Sequence, residues 1–206
     1  MIKMKGLLLL SSGIDSPVAG KLMIDKGVEV VALHFVFHNN DIENKKVTDL
    51  AKKINVKHLF FAELNHAHDA YREKCNPRYT CIYCKRMMLR IAEKFAEKEK
   101  CDFLITGENM GQVASQTLDN MAVIQPAVKM KVLQPLLGFD KNDTIKIARK
   151  INTFEKSIEK SPGCPYLPQH PATTSRTEKV EHEEGKLNVD ELIEESVKSV
   201  KEIFLN

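Results

Sequence analysis

The run Leu9-Leu10-Ser11-Ser12-Gly13-Ile14-Asp15-Ser16 is built for phosphate chemistry. An apolar stretch gives way to small polar residues, and small side chains let a phosphate approach backbone N–H groups closely. Pro17 follows where a first helical turn tolerates it, so a helix start would turn its partial positive charge to the same anion. Ser11 and Ser16 add hydroxyl donors. Asp15 is the odd member, because a carboxylate repels phosphates. A divalent cation such as Mg²⁺ would resolve the conflict by bridging the two. No Gly-Lys-Ser/Thr follows, so this is not the lysine-bearing P-loop. The competing reading is a strand-to-helix turn with no ligand.

The second chemically capable group is sulfur. Cys81-Ile82-Tyr83-Cys84 puts two thiols three residues apart at an expected helix start, where both can face one ion. The helix terminus and Lys85-Arg86 are expected to lower their pKa. Cys164 lies far along the chain in Ser161-Pro162-Gly163-Cys164-Pro165. Three thiolates would bind three irons of a [4Fe-4S] cubane and leave the fourth iron open. The alternatives are a redox or persulfide pair, or zinc with His170 as the fourth ligand, or inert thiols. Cys101, at a strand start, reads as a small core residue, and Cys75 is ambiguous. An odd count of 5 cysteines, with no visible secretory signal, argues against a disulfide framework and for a reducing cytoplasm.

Positioning these groups requires a frame. Apolar, β-branched stretches at residues 5–10, 28–37, 56–64, 102–106 and 132–133 read as strands. Helical spacing recurs at 16–26, 42–54, 83–99, 111–120 and 140–151, the last capped by Asp140. Strands alternating with helices give an α/β fold, a Rossmann-like doubly wound parallel sheet of about five strands with helices on both faces. Ligands in such sheets bind beyond the carboxyl ends of the strands. Residues 161–177 carry four prolines and no period, a long loop. Residues 186–205 regain a helical period. The division expected is a catalytic domain over residues 1–177 and a helical extension over 178–206 packed on it.

The 206 residues are 43% hydrophobic with a net charge of +3, which excludes global disorder. The longest apolar run is too short for a membrane span. With no Trp and 6% aromatic residues, a stacking surface for single-stranded nucleic acid is not advertised. Charge is uneven. Residues 72–100 carry nine basic and four acidic groups, and residues 178–206 carry four basic and nine acidic. Two solvated helix faces of opposite sign would explain that.

Residues 11–16 resemble the Ser-Gly-Gly-x-Asp-Ser PP-loop of the ATP pyrophosphatase superfamily, with Ser12 at the first Gly. The run Asp15-Ser16-Pro17-Val18-Ala19 is similar to one branch, the tRNA 4-thiouridine synthetases of the ThiI type. So are the segment from Thr106-Gly107-Glu108-Asn109 to Gln116-Thr117-Leu118, then Gln134-Pro135-Leu136, and Asp140-Lys141 leading into Ile147-Ala148-Arg149. The resemblance spans roughly residues 5 to 175.

That resemblance implies ATP-dependent adenylation of a tRNA uridine, followed by displacement of AMP by a sulfur nucleophile. It implies ATP and Mg²⁺ as cofactors, with a [4Fe-4S] cluster on Cys81, Cys84 and Cys164 as the leading sulfur-delivery reading. By residue match, Leu9 and Leu10 line the nucleotide pocket, and Ser11, Ser12, Gly13, Asp15 and Ser16 hold pyrophosphate and metal. His34 and Phe35 meet the adenosine, while Gly107 and Gln116 complete the site. Lys141 neutralises charge in adenylation. Lys85 falls where relatives more often carry Arg, which loses a bidentate fork. Taken alone, His34 reads as a satisfied core histidine and Lys141 as a solvated lysine at a helix start. Cys164 matches the sulfur-handling cysteine.

The ferredoxin-like, THUMP and rhodanese parts of relatives have no counterpart in this sequence, so a stand-alone cytoplasmic catalytic domain is expected. The tRNA would be held through a separate tRNA-binding chain, through the basic 72–100 region, or by a homodimer joining two basic faces. The sulfur donor stays open. Two alternatives are sulfur transfer to a thiamine thiazole precursor or other small acceptor, and a non-catalytic ATP- or AMP-binding subunit.

Overall fold

The computed structural model describes residues 4–37 and 40–205. Among them the strands are β1 (Lys5–Leu9), β2 (Glu29–Val36), β3 (His58–Glu63), β4 (Phe103–Ile105), β5 (Val132–Leu133) and β6 (Lys201–Ile203). They form one sheet in the order β5-β4-β1-β2-β3-β6. All neighbours are parallel except β6, which runs antiparallel to β3. The Rossmann-like α/β architecture is therefore present, with six strands instead of about five. The order reverses at β1, with β2 on one side and β4 on the other, so a crevice opens beyond the carboxyl end of β1.

Both faces of the sheet are buried, which is why β1 reads as continuous leucine and not as alternation. Leu7, Val31 and Leu33 pack with Met87, Ile91 and Phe95 of α4 (Thr80–Lys98). Leu8 and Ala32 pack the other way. They meet Val18 and Ala19 of α1 (Asp15–Asp25), Val47 of α2 (Asp41–Lys53) and Ala148 of α6 (Lys141–Lys150). Each fully buried leucine contributes about 1.5–3 kcal/mol.

Several segments differ from the sequence reading. Residues 65–74 form a helix, α3 (Asn65–Lys74), whose buried face is Ala67, His68 and Tyr71, too polar to register as periodic. The helix expected over 111–120 is a loop with Gly111 at φ +76°, a short 3₁₀ turn at Ala114–Gln116, and then α5 (Leu118–Ile124). Thr117 caps α5 by accepting from the Asn120 amide at 3.3 Å. A short α7 (Phe154–Ile158) precedes the proline-rich stretch, which holds no helix or strand up to α8 (Thr177–Glu184). The expected C-terminal helix is split into α9 (Val189–Lys198) and the edge strand β6.

The uneven charge has a structural use. Buried Arg86 of α4 donates through Nε to Glu184 of α8 at 3.0 Å and through Nη1 to the Val123 carbonyl of α5. Arg90 grips Glu184 with two bonds of 2.9 Å. The two segments are thus not simply two solvated faces, because part of the acidic one neutralises part of the basic one. Among the described residues, no helix is long and apolar enough to cross a membrane.

Candidate functional site

The turn after β1 closes on itself. The Ser11 amide donates to Ser16 Oγ at 2.8 Å, and the two serine hydroxyls lie 2.9 Å apart. Ser157 of α7 braces the turn from outside, donating to the Gly13 carbonyl at 3.2 Å. The residue at the N-cap of α1 is Ile14, which has no side-chain acceptor to offer the first helical amides. Those donors therefore suit an anion in the crevice. Gly107, just past β4, lies against this helix start. A Cβ there would come within 2.5 Å of the Ser16 backbone nitrogen.

Asp15 and Lys141 meet although 126 residues separate them. Lys141 Nζ donates to the two Asp15 carboxylate oxygens at 2.8 and 2.9 Å, and to Gln112 Oε1 at 3.1 Å. Each residue opens its helix, and Asp140 caps α6 by accepting from the Asn142 amide at 2.8 Å. Lys141 is thus not a lysine merely solvated at a helix start. One carboxylate at the mouth of a phosphate-sized turn is a donor set that fits Mg²⁺, a cation that takes one or two carboxylates plus substrate phosphates.

Two adjoining clefts share Leu9, Ser11 and Met88. The first takes in Leu10, His34, Phe35 and Cys164. His34 Nδ1 donates to the Leu10 carbonyl at 2.9 Å, and its ring sits edge-on to Phe61. Burial holds the His34 pKa below the ordinary histidine value, so the ring is neutral. It is both a satisfied core histidine and a wall of the cleft. The second cleft takes in Gly13, Asp15, Ser16 and Lys85, with Gly107 and Gln116 across from them. Among the described residues, buried Gln116 Oε1 has no hydrogen-bond partner. Ser12 points away and donates to Glu43 of α2.

Sequence reasoning passed over four residues at this edge. Glu108 forms an ion pair with Lys85 and accepts from Gln134 Nε2 at 2.6 Å, which fixes the Lys85 ammonium beside the second cleft. Glu108 and Gln134 lie inside the segments that carry the family resemblance, and their polarity next to strand ends is the available signal. Glu43 and Asn44 line the first cleft from the start of α2, with nothing in the local sequence to mark them.

The cysteines split. Exposed Cys164 lines the first cleft, whereas Cys81 and Cys84, both half-buried on α4, line neither. Burial, seconded by the nearby Cys164 sulfur, raises the pKa of Cys81 and Cys84. The expected lowering is therefore reversed. Desolvation outweighs the Lys85 charge, and Arg86 is turned into the interior toward Glu184. Cys84 Sγ lies 3.1 Å from His68 Nε2. Among the described residues no three His, Cys, Asp or Glu side chains converge on a point that could hold a metal ion. The side chains as placed do not fit a cluster on Cys81, Cys84 and Cys164, nor zinc with His170. Cys101 is a core residue with its pKa pushed up to about 11 by burial. Buried Cys75 donates to the Glu183 carbonyl at 3.3 Å.

Residues 2–189 match the family model described as "Thiamine biosynthesis protein (ThiI)". A probable tRNA sulfurtransferase of Methanocaldococcus jannaschii is 41% identical over 182 residues, covering 85% of this chain and 48% of that protein. One from Thermoanaerobacter sp. (strain X514) is 41% identical over 97% of this chain and 54% of its own length. The chain spans about half the length of the curated relatives it matches. Among solved structures, a 4-thiouridine synthetase–RNA complex with bound ATP superposes with a TM-score of 0.91 at 34% identity, over 97% of this chain and 55% of that one. NMN synthetase from Francisella tularensis, at 16% identity and TM-score 0.61 over 93% of this chain and 76% of that one, shares the fold.

Proposed function

Since the chain belongs to the ThiI family, matched over residues 2–189, we propose that it carries out ATP-dependent sulfur transfer to a tRNA uridine, giving 4-thiouridine. The observation that carries this reading is the Asp15–Lys141 pair at an uncapped helix start beside the turn 11–16. It supplies the two charges that adenylation needs, one for a cation and one for phosphate. A relative named probable tRNA sulfurtransferase and a neighbour solved with RNA and ATP support the acceptor and the nucleotide.

Adenosine lies in the first cleft against Leu10, His34 and Phe35, with its phosphates running to the amides of Gly13 to Ser16. Mg²⁺ on Asp15, when bound, supplies charge neutralisation. Lys141 turns from Asp15 to the phosphates, where negative charge grows as the uridine O4 attacks the α-phosphorus and pyrophosphate leaves. Lys85, held by Glu108, faces the same phosphates as a point charge. A sulfur nucleophile then attacks C4, the C4–O bond breaks, and AMP departs with the oxygen. Cys164, exposed at the lip of the first cleft, presents that sulfur as the outer atom of a persulfide loaded by a sulfur donor; once it is bonded to C4, a second thiol attacks Cys164 Sγ, the S–S bond breaks, and 4-thiouridine leaves. No step runs through a cluster.

The family description favours one second reading, sulfur transfer to a thiamine precursor. Pyrophosphate release separates the readings. Stimulation by tRNA and not by small acceptors is expected. The reverse selects the small acceptor, and no turnover with either selects an idle nucleotide-binding subunit.

A further inference from the structure

We infer that Glu43 and Asn44 read the ribose of the nucleotide, accepting hydrogen bonds from its 2′ and 3′ hydroxyls, and that Ser12 holds Glu43 in place to do so. The inference rests on the reading that ATP occupies the two clefts.

The first turn of α2 is fixed by its own cap. Asn40 Oδ1 accepts from the Glu43 amide at 3.1 Å, and the Asn40 carbonyl accepts from the Asn44 amide at 2.9 Å. Both side chains then line the first cleft. Glu43 Oε1 accepts from the Ser12 hydroxyl, but Glu43 Oε2 is buried and receives no hydrogen bond among the described residues. Asn44 Oδ1 is in the same condition. Buried side-chain acceptors are nearly always paired, so two unpaired ones side by side on a cleft wall call for donors from a ligand. The remaining wall is largely apolar, with Leu9, Leu10, Phe35 and Phe37 shaped for a base and offering it no acceptor side chain.

Position along the cleft decides which donors these are. Glu43 is tied to Ser12, a member of the phosphate turn, so its free oxygen lies at the phosphate end of the cleft. A carboxylate there repels phosphate itself. The part of a nucleotide next to its phosphates is the ribose, whose vicinal hydroxyls present two donors to two acceptors. Adenine falls further off, against Phe35. The same contact explains why a serine at position 12, where the resembling turns carry glycine, is useful here. Its hydroxyl fixes the rotamer of the carboxylate that would otherwise swing on three free bonds.

The test is calorimetric titration of the full chain, in Mg²⁺, with ATP, 2′-deoxy-ATP, 3′-deoxy-ATP and inosine triphosphate. Each deoxy analogue is expected to bind about 10-fold more weakly than ATP, the usual worth of a hydrogen bond to a charged or buried acceptor. Inosine triphosphate should bind like ATP. Glu43→Ala and Asn44→Ala should each pull the ATP-to-deoxy ratio toward one, and Ser12→Gly should do so part-way. All three sites are at an exposed turn or first helical turn, so the variants are expected to fold, and their melting curves check this. Deoxy analogues binding as tightly as ATP overturn the inference while leaving ATP in the cleft. Weakening by inosine triphosphate alone overturns it in favour of the adenine amine. A well-folded chain that binds no ATP at millimolar concentration overturns the nucleotide reading and this inference with it.

Discussion

Replacing Lys141 by alanine separates the part that one charge plays in folding from its part in chemistry. Lys141 Nζ meets both Asp15 oxygens at under 3 Å, yet the pair is open to water, with the lysine side chain 41% exposed and the aspartate 24%. An ion pair so exposed contributes at most about 1 kcal/mol. In a domain of this length that is about 2–4 °C of melting temperature. In the reaction the same ammonium faces charge that exists only as the phosphorus–oxygen bond to pyrophosphate breaks. Removing one such donor costs about 10²–10³ in rate. Lys141→Ala should therefore melt within about 4 °C of the parent protein. Pyrophosphate release in a single turnover, by rapid quench with saturating ATP, Mg²⁺ and tRNA, should fall by about 100- to 1,000-fold. A rate within about threefold of the parent would refute the chemical role, since so small a change is well under 1 kcal/mol. A large drop in melting temperature would refute the argument from exposure.

Four further outcomes follow from the geometry. Cys164 should react with iodoacetamide at pH 8 well before Cys81, Cys84 and Cys101, whose raised pKa values leave little thiolate until the pH climbs, and mass spectrometry of timed digests reads the order. Burial keeps the His34 pKa below 6.5, so the unfolded chain takes up a proton that the folded one refuses. Stability should fall as the pH drops below about 6.5, and His34→Gln should flatten that slope in urea melts; an unchanged slope contradicts the assignment. Gly107→Ala forces a methyl to within 2.5 Å of the Ser16 nitrogen and should cost about 1–3 kcal/mol, with weakened ATP binding by calorimetry. Arg86→Ala strips buried Glu184 of one of its two arginine partners and leaves the Val123 carbonyl without its donor, and should cost about 1.5–3 kcal/mol in denaturant melts, which a surface-like loss under about 1 kcal/mol would contradict.

The parts of the site that follow from short-range pattern were legible in the sequence. Leucines at 7 to 10, the Ser-Ser-Gly turn and Pro17 specify a buried strand, a small-residue loop and a helix start without reference to the rest of the chain. The Asp15–Lys141 meeting was legible only through resemblance, because no local signal joins residues 126 apart. What failed depended on surroundings. Lys85-Arg86 read as cations beside the thiols, yet Arg86 turns inward to Glu184, a partner 98 residues away, and burial decides the Cys84 pKa. Strand β6 has three residues and no signature apart from its pairing with β3. Helix α3 hides its buried face behind His68 and Tyr71. Glu43 gains its place only once α2 is docked beside the turn at Ser12.

The proline-rich stretch is an arch with both feet pinned. At one foot the Glu159 carbonyl accepts from buried Lys46 at 2.8 Å. At the other, the Ala172 carbonyl accepts from Asn120 at 2.9 Å, and Ser175 donates to Asn120 Oδ1 at 2.6 Å. Between them Tyr166, stacked on His68 at 4.2 Å and tilted against Phe37, rests the span on α3 two residues past Cys164. Cys164 is thereby carried on a span whose two ends are tied to the body of the protein, at the lip of the cleft that His34 and Phe35 wall.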